Sequence, residues 1–169
     1  MATSMSANSS LSESKIISIK TEHESQLFRY KALIDEAIFI VNSRLNENNI
    51  KIHSVEGRVK DINSTVRKIE RKSDDTELSD IHDISAIRIV CLFRDDIEII
   101  NSVIKNNFII ISYDDKISSS IDSFGYMSIH YICQMRDDYQ GPRYEAIKSL
   151  NFEIQIRTIC MHGHLFLTI

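Results

Sequence analysis

Residues Asn151–Thr158 read Asn-Phe-Glu-Ile-Gln-Ile-Arg-Thr, and this run constrains the fold more than any other. In an extended chain successive side chains point to opposite faces. Phe152, Ile154 and Ile156 therefore share one face, and Glu153, Gln155 and Arg157 share the other. Such a strand needs apolar cover on one side only, and it leaves three polar groups in a row on the other. An ordinary structural strand has the same pattern, so alternation alone assigns no chemistry. The run Tyr126–Gln134 behaves alike, with Tyr126, Ser128 and His130 on one face and Met127, Ile129, Tyr131 and Cys133 on the other. Gly125 just before it permits close approach of backbone or ligand. An aromatic ring, a hydroxyl and an imidazole on one face suit a purine nucleotide, although a hydrogen-bonded structural histidine fits His130 equally well.

The rest of the chain supplies cover for such strands. Thr21 followed by Glu24 has capping-box spacing, and Leu27, Tyr30, Ile34, Ile38, Val41 and Leu45 then recur at helical steps. The Asn-rich stretch Asn46–Asn49 ends that helix. An extended segment near Ile50–Val59, a helix near Ile62–Lys72 and a polar loop over 73–79 follow. Ala86–Phe93 is dense in β-branched and apolar residues and predicts a buried strand. Asp95 or Asp96 can cap the next helix, whose core stripe is Ile99, Ile100, Val103 and Ile104. A strand at Phe108–Tyr113 and a polar loop over 114–124 precede the two late strands, which are joined through Gly141-Pro142. A leading helix followed by mixed strands and helices predicts an α+β (α/β) domain with a mixed sheet, not a doubly wound parallel one. Residues 1–20 hold few large apolar groups before Ile16 and predict a disordered polar tail, which leaves 21–169 as the domain.

Composition narrows the function classes. The 169 residues carry a formal net charge of −4, which argues against broad nucleic-acid binding but leaves room for a locally basic pocket. No apolar run reaches the length of a membrane span, and the N-terminus has no signal-peptide core. Cys91, Cys133 and Cys160 lie in or beside apolar runs without metal-type spacing, so buried reduced thiols in a cytoplasmic protein are expected.

Two further segments could carry chemistry. Gly57–Lys72 holds six cations against two anions, the one clearly basic stretch of an acidic chain. Extended geometry aims Arg58 and Lys60 to the same side, and Ser64, Lys68 and Arg71 share a helix face. Cations so arranged suit a triphosphate, and a solvated helix face gives the same pattern. Within Asp80–Ile89, Asp83 lies at the edge of the apolar strand and Arg88 is embedded in it. A carboxylate there, with a second at Glu153, is what a Mg²⁺ site completed by substrate phosphates requires.

In this order, Gly-Arg-Val-Lys with Ser64 and Lys68, Asp-Ile-Ser-Ala-Ile-Arg, Gly-Tyr-Met-Ser-Ile-His, and Glu-Ile-Gln-Ile-Arg-Thr followed by Met161-His162 resemble the RelA/SpoT synthetase family over about Ile50 to His162. The resemblance implies a nucleotidyltransferase-like mixed sheet flanked by helices. It implies an ATP-dependent GTP pyrophosphokinase that transfers pyrophosphate to the 3′-hydroxyl of GDP or GTP. By the same resemblance Arg58 and Arg88 match the arginines around adenine, and Lys60, Ser64 and Lys68 match groups that hold the ATP phosphates. Asp83 and Glu153 match the Mg²⁺ carboxylates, and Glu153 also the group that activates the hydroxyl. Tyr126 matches the guanine-stacking tyrosine, His130 a neighbour of the acceptor nucleotide, and Gln155 and Arg157 polar positions beside Glu153 that count with the guanine-nucleotide residues.

Three features depart from the family pattern. Asp122 lies near the position of a lysine that contacts the acceptor nucleotide in many members. Gly163-His164-Leu165 and the end at Ile169 replace a Trp-Ala pair that opens a long helix, so the domain reads as truncated there. No hydrolase or regulatory domain accompanies the motifs, which implies a stand-alone synthetase and leaves a homo-oligomer open. The alternatives are an inactive nucleotide-binding remnant, and a toxin-type relative with an adenine nucleotide or tRNA acceptor.

Overall fold

The computed structural model describes residues 11–73, 75–115 and 128–159. The expectations for Asp122, Gly125, Tyr126, Met127, Cys160 and Met161-His162 lie outside them. The first element is a long helix, α1 (Glu13–Glu47), whose N-cap Ser12 accepts the Lys15 N–H. It starts well before the predicted cap at Thr21, whose hydroxyl instead donates to Ile17 O (3.0 Å) within the helix. Burial explains the extension. Leu11 and Ile19 pack with Tyr30, Val66, Ile69, Leu78, Ile81 and Ile84 in a small second core, so Glu13–Lys20 is a packed helix and not a tail. The helix ends where the asparagines predict, with Asn49 in the left-handed region at φ 56°.

Among the described residues five strands follow, in the sheet order β1-β2-β5-β4-β3. They are β1 (Ile52–Val59), β2 (Ser85–Cys91), β3 (Phe108–Asp115), β4 (Ile129–Met135) and β5 (Phe152–Thr158). Strands β2 and β5 run parallel, and the other neighbours are antiparallel, so the sheet is mixed as predicted. Between them lie α2 (Ile62–Lys72), α3 (Asp96–Asn107) and a single turn α4 (Pro142–Glu145). Gly141 at φ 109° makes the turn into α4, and proline follows at its first helical position. Asp95 occupies the N-cap position of α3 without a side-chain bond; Asp96 Oδ2 accepts the Phe93 N–H (3.2 Å) instead.

One face of the sheet is covered and apolar. Ile87, Ile89, Tyr131, Cys133, Phe152, Ile154 and Ile156 lie in the main core with Leu33, Ile34, Ala37, Val41, Ile100 and Ile104 from α1 and α3. Gly57 sets how closely α1 approaches β1, since a Cβ there would collide with Ile34 Cγ2 and come within 2.9 Å of Ile38 Cδ1. Burial pushes the Cys91 thiol up to about 11 and the Cys133 thiol up to about 12, as expected of inert reduced cysteines. Among the described residues no helix is long and apolar enough to cross a membrane.

Candidate active site

The opposite face of the sheet is polar. Paired strand residues share a face, so the register lines up Glu56, Arg88, Gln155, His130 and Asp114 across all five strands. A neighbouring row holds Arg58, Ala86, Glu153, Ile132 and Ser112. Arg157 follows two residues beyond Gln155, is buried, and gives its carbonyl to the Cys91 thiol (3.3 Å). The period-two pattern of β5 thus placed Glu153, Gln155 and Arg157 correctly, and register brings Arg88 and His130 beside them. Glu56 and Asp114 escaped the sequence reading. The same alternation in β1 and β3 carries the only signal for them, and cross-strand register gives it meaning.

Hydrogen bonds connect the row. Arg88 donates from Nε and Nη2 to Gln155 Oε1, each at 3.4 Å, and Gln155 Nε2 donates to Glu153 Oε2 at 2.8 Å. His130 Nδ1 lies 2.7 Å from Glu153 Oε1, and its Nε2 lies 2.6 Å from the hydroxyl of fully buried Ser128. With Nδ1–H on the carboxylate, Nε2 accepts the Ser128 hydroxyl proton. Burial raises the affinity of Glu153 for a proton, but the bonds from His130 and Gln155 outweigh it, and its pKa is lowered overall.

A second cluster forms where β1 leaves the sheet. The Lys60 N–H donates to Ile84 O (2.7 Å), and His23 Nε2 of α1 donates to Lys60 O (3.1 Å). Asp61 then caps α2 by accepting the N–H groups of Asn63 (2.9 Å) and Ser64 (3.1 Å), which aims the helix at the turn before β2. As a result Lys60 Nζ and Lys68 Nζ converge on Asp83 Oδ2, at 2.6 and 2.7 Å. Burial opposes ionisation of Asp83, yet the two ammonium groups hold its carboxyl below the usual range. Ser64 lies on the first turn of the same helix, and Arg67 Nη2 donates to its Oγ (3.3 Å).

Of the candidate ATP residues, Arg58 and Arg88 line one recess with Glu56, Gly57, Ala86, Ile87 and Gln155. Ala86, facing the same side as Arg58, leaves its floor open. Lys60 and Lys68 meet at Asp83, and Ser64 stays with Arg67. Tyr126 lies outside the described residues.

No group of three or more His, Cys, Asp or Glu that could hold a metal occurs among the described residues. The negative charge of Asp83 works against ionisation of Glu153, although the pKa of Glu153 is lowered overall. Asp83 Oδ1 and Asn151 Oδ1 are both buried without a hydrogen-bond partner. Orphaned hard oxygens just before the paired starts of β2 and β5, the second of which carries Glu153, fit Mg²⁺, which takes one or two carboxylates and fills its remaining positions with water and substrate phosphate.

A mixed sheet with helices on one face and a row of ionic side chains on the other defines a nucleotidyltransferase-like domain. The sequence pattern described as the region found in RelA / SpoT proteins matches residues 57–165, and the chain belongs to that family. It is 33% identical over 119 residues to the GTP pyrophosphokinase YjbM of Bacillus subtilis (strain 168), covering 69% of this chain and 54% of YjbM. It is 32% identical over 154 residues to the GTP pyrophosphokinase YwaC of the same organism, covering 85% of this chain and 71% of YwaC. The chain therefore spans about half the length of YjbM. The solved structure of the small alarmone synthetase 1 from Bacillus subtilis bound to its product pppGpp superposes with a TM-score of 0.69 at 27% identity. That match covers 88% of this chain and 83% of the other.

Proposed function

We propose that the chain is a GTP pyrophosphokinase that transfers pyrophosphate from ATP to the 3′-hydroxyl of GDP or GTP, releasing AMP. One observation carries the reading: the Arg58–Arg88 recess and Glu153, with both carboxylate oxygens held, lie on the same polar face of the sheet. The names of the relatives support it, as does the pppGpp bound in the related structure.

In this reading the adenine enters between Arg58 and Arg88, whose planar guanidinium groups suit stacking on a base. Lys60 and Lys68, with Ser64 nearby, exchange Asp83 for the oxygens of the triphosphate and neutralise its charge. Asp83 keeps both ammonium groups aimed at one point before substrate arrives. Glu153 accepts the proton of the 3′-hydroxyl as that oxygen bonds to the β-phosphorus and the bond to the AMP oxygen breaks. His130 and Gln155 hold Glu153 in place, Arg157 adds a cation on the same face, and Tyr126 is the candidate stacking partner for guanine. Asp83 and Glu153 would hold Mg²⁺, which when bound stabilises negative charge on the transferred phosphates.

Incubation with γ-labelled ATP, Mg²⁺ and either GDP or GTP tests the reaction. A labelled guanosine product, lost by at least about a thousand-fold in Glu153→Gln, is expected when a catalytic base is removed. A wild-type rate in Glu153→Gln would remove Glu153 from the chemistry. Product with an adenine or tRNA acceptor only would remove the guanine nucleotide.

A further inference from the structure

Arg88, Gln155, Glu153, His130 and Ser128 form one continuous hydrogen-bonded chain across β2, β5 and the start of β4. Gln155 joins two groups of opposite demand. A guanidinium only donates, and an ionised carboxylate only accepts, so whatever bridges them must offer an acceptor at one end and a donor at the other. A terminal amide does this, with Oε1 toward Arg88 and Nε2 toward Glu153. Gln155 is only 7% exposed, so water cannot readily replace a lost partner.

The two sides of Glu153 are held unequally. Its Oε1 rests on His130, which is backed by a serine with no exposed surface. Its Oε2 rests on Gln155, which is held from behind by two long bonds of 3.4 Å from Arg88. The loose point of the chain is therefore Arg88, which lines the recess assigned to adenine. A purine stacked on the guanidinium fixes its plane, and with it the direction of the N–H groups that orient the Gln155 amide. With the guanidinium free, the amide can turn and release Oε2.

We propose that Gln155 is a positioning residue that couples the two nucleotide subsites, transmitting occupancy of the Arg58–Arg88 recess to the Glu153 carboxylate. The assignment of ATP to the recess and a guanine nucleotide to the acceptor side rests on the proposed function. Gln155 borders that recess beside Arg88, and in this role it acts on the acceptor side only through Glu153. Glutamate at 155 would set a carboxylate against Glu153, and an apolar residue would cut the chain.

Calorimetry on the full chain with Mg²⁺, α,β-methylene ATP and GDP tests the coupling without requiring turnover. In the wild type, GDP should bind about 5-fold tighter or more when the ATP analogue is present. In Gln155→Met that ratio should collapse to within about 2-fold, while the affinity for GDP alone changes by no more than about 3-fold and kcat falls more than KM rises. Undiminished coupling in Gln155→Met, or a loss of about 10-fold or more in GDP affinity measured alone, would overturn the role. Should Gln155→Met not fold, the wild type decides by nitrogen-15 NMR. The analogue alone must shift the ring signals of His130, on the far side of Glu153, and unchanged signals sink the proposal. Coupling without turnover would count against the proposed reaction and leave the bridge standing. Turnover without coupling would do the reverse.

Discussion

Asp83 balances two ammonium groups on one oxygen, and this gives the protein a definite acid response. Its folded pKa is depressed by Lys60 and Lys68, so the unfolded chain binds the proton more tightly. The stabilisation is fully present above the unfolded value of about 3.9 and is lost as pH falls through the lower folded value. The melting temperature should therefore gain nothing from Asp83 between pH 8 and 5, and should lose its contribution below about pH 4. Asp83→Asn should melt lower at neutral pH by the equivalent of about 1.5–3 kcal/mol, the usual worth of hydrogen bonds to a charged group. It should also have a shallower acid limb. An Asn variant that kept the wild-type acid limb would show that the carboxylate contributes nothing there.

At the scale of elements, the contact of α1 with β1 turns on Gly57. The Gly-Arg-Val-Lys motif reads as a charged ligand-binding run, but its glycine faces away from the charged residues and into α1. Gly57→Ala should destabilise by about 1–3 kcal/mol, the cost of overpacking a tight contact, because Ile34 and Ile38 must move. Thermal unfolding measures it, and pairing the change with Ile38→Val, which removes the Cδ1 met at 2.9 Å, should return part of the loss. A neutral Gly57→Ala would mean that α1 can slide. Sequence could reveal that a glycine stands beside Arg58. It could not reveal that an isoleucine methyl of a helix far back in the chain occupies the space of its missing Cβ.

At the scale of the whole molecule, two devices tie α1 to the rest of the fold. Leu11 and Ile19 complete the second core beneath α2, which carries Ser64 and Lys68. Ile19→Ala should cost about 2–4 kcal/mol as a large-to-small core change, visible as a lower urea midpoint. No change would return Glu13–Lys20 to the status of a loose tail. On the other side, the segment between β4 and β5 is fastened to α1. Buried Glu36 accepts the Tyr144 hydroxyl (2.6 Å) and pairs with Arg143 (2.5 Å), and Arg29 bonds Ala146 O and Ser149 Oγ. The bond to Glu36 and burial push the Tyr144 hydroxyl up to about 12. Tyr144→Phe leaves a buried carboxylate oxygen without its donor and should cost about 1–3 kcal/mol, with little effect on the affinity for either nucleotide.

The local pattern of residues determined much of this protein. Period-two alternation sorted β5 into a core face and a polar face, helical spacing set α1 from Leu27 onward and α3, and the ordered motifs marked Arg58, Lys60, Asp83, Arg88, His130 and Glu153. These features are legible because a strand or helix writes its periodicity into neighbouring residues. Three things were left to tertiary structure: the start of α1, the meeting of Lys60 and Lys68 on Asp83, and the chain from Arg88 through Gln155 and Glu153 to Ser128. Each depends on partners far apart in sequence. Weakly apolar Glu13–Lys20 is helical because Leu11 and Ile19 find a core, and the polar side chains find one another only once strand order and register place them side by side.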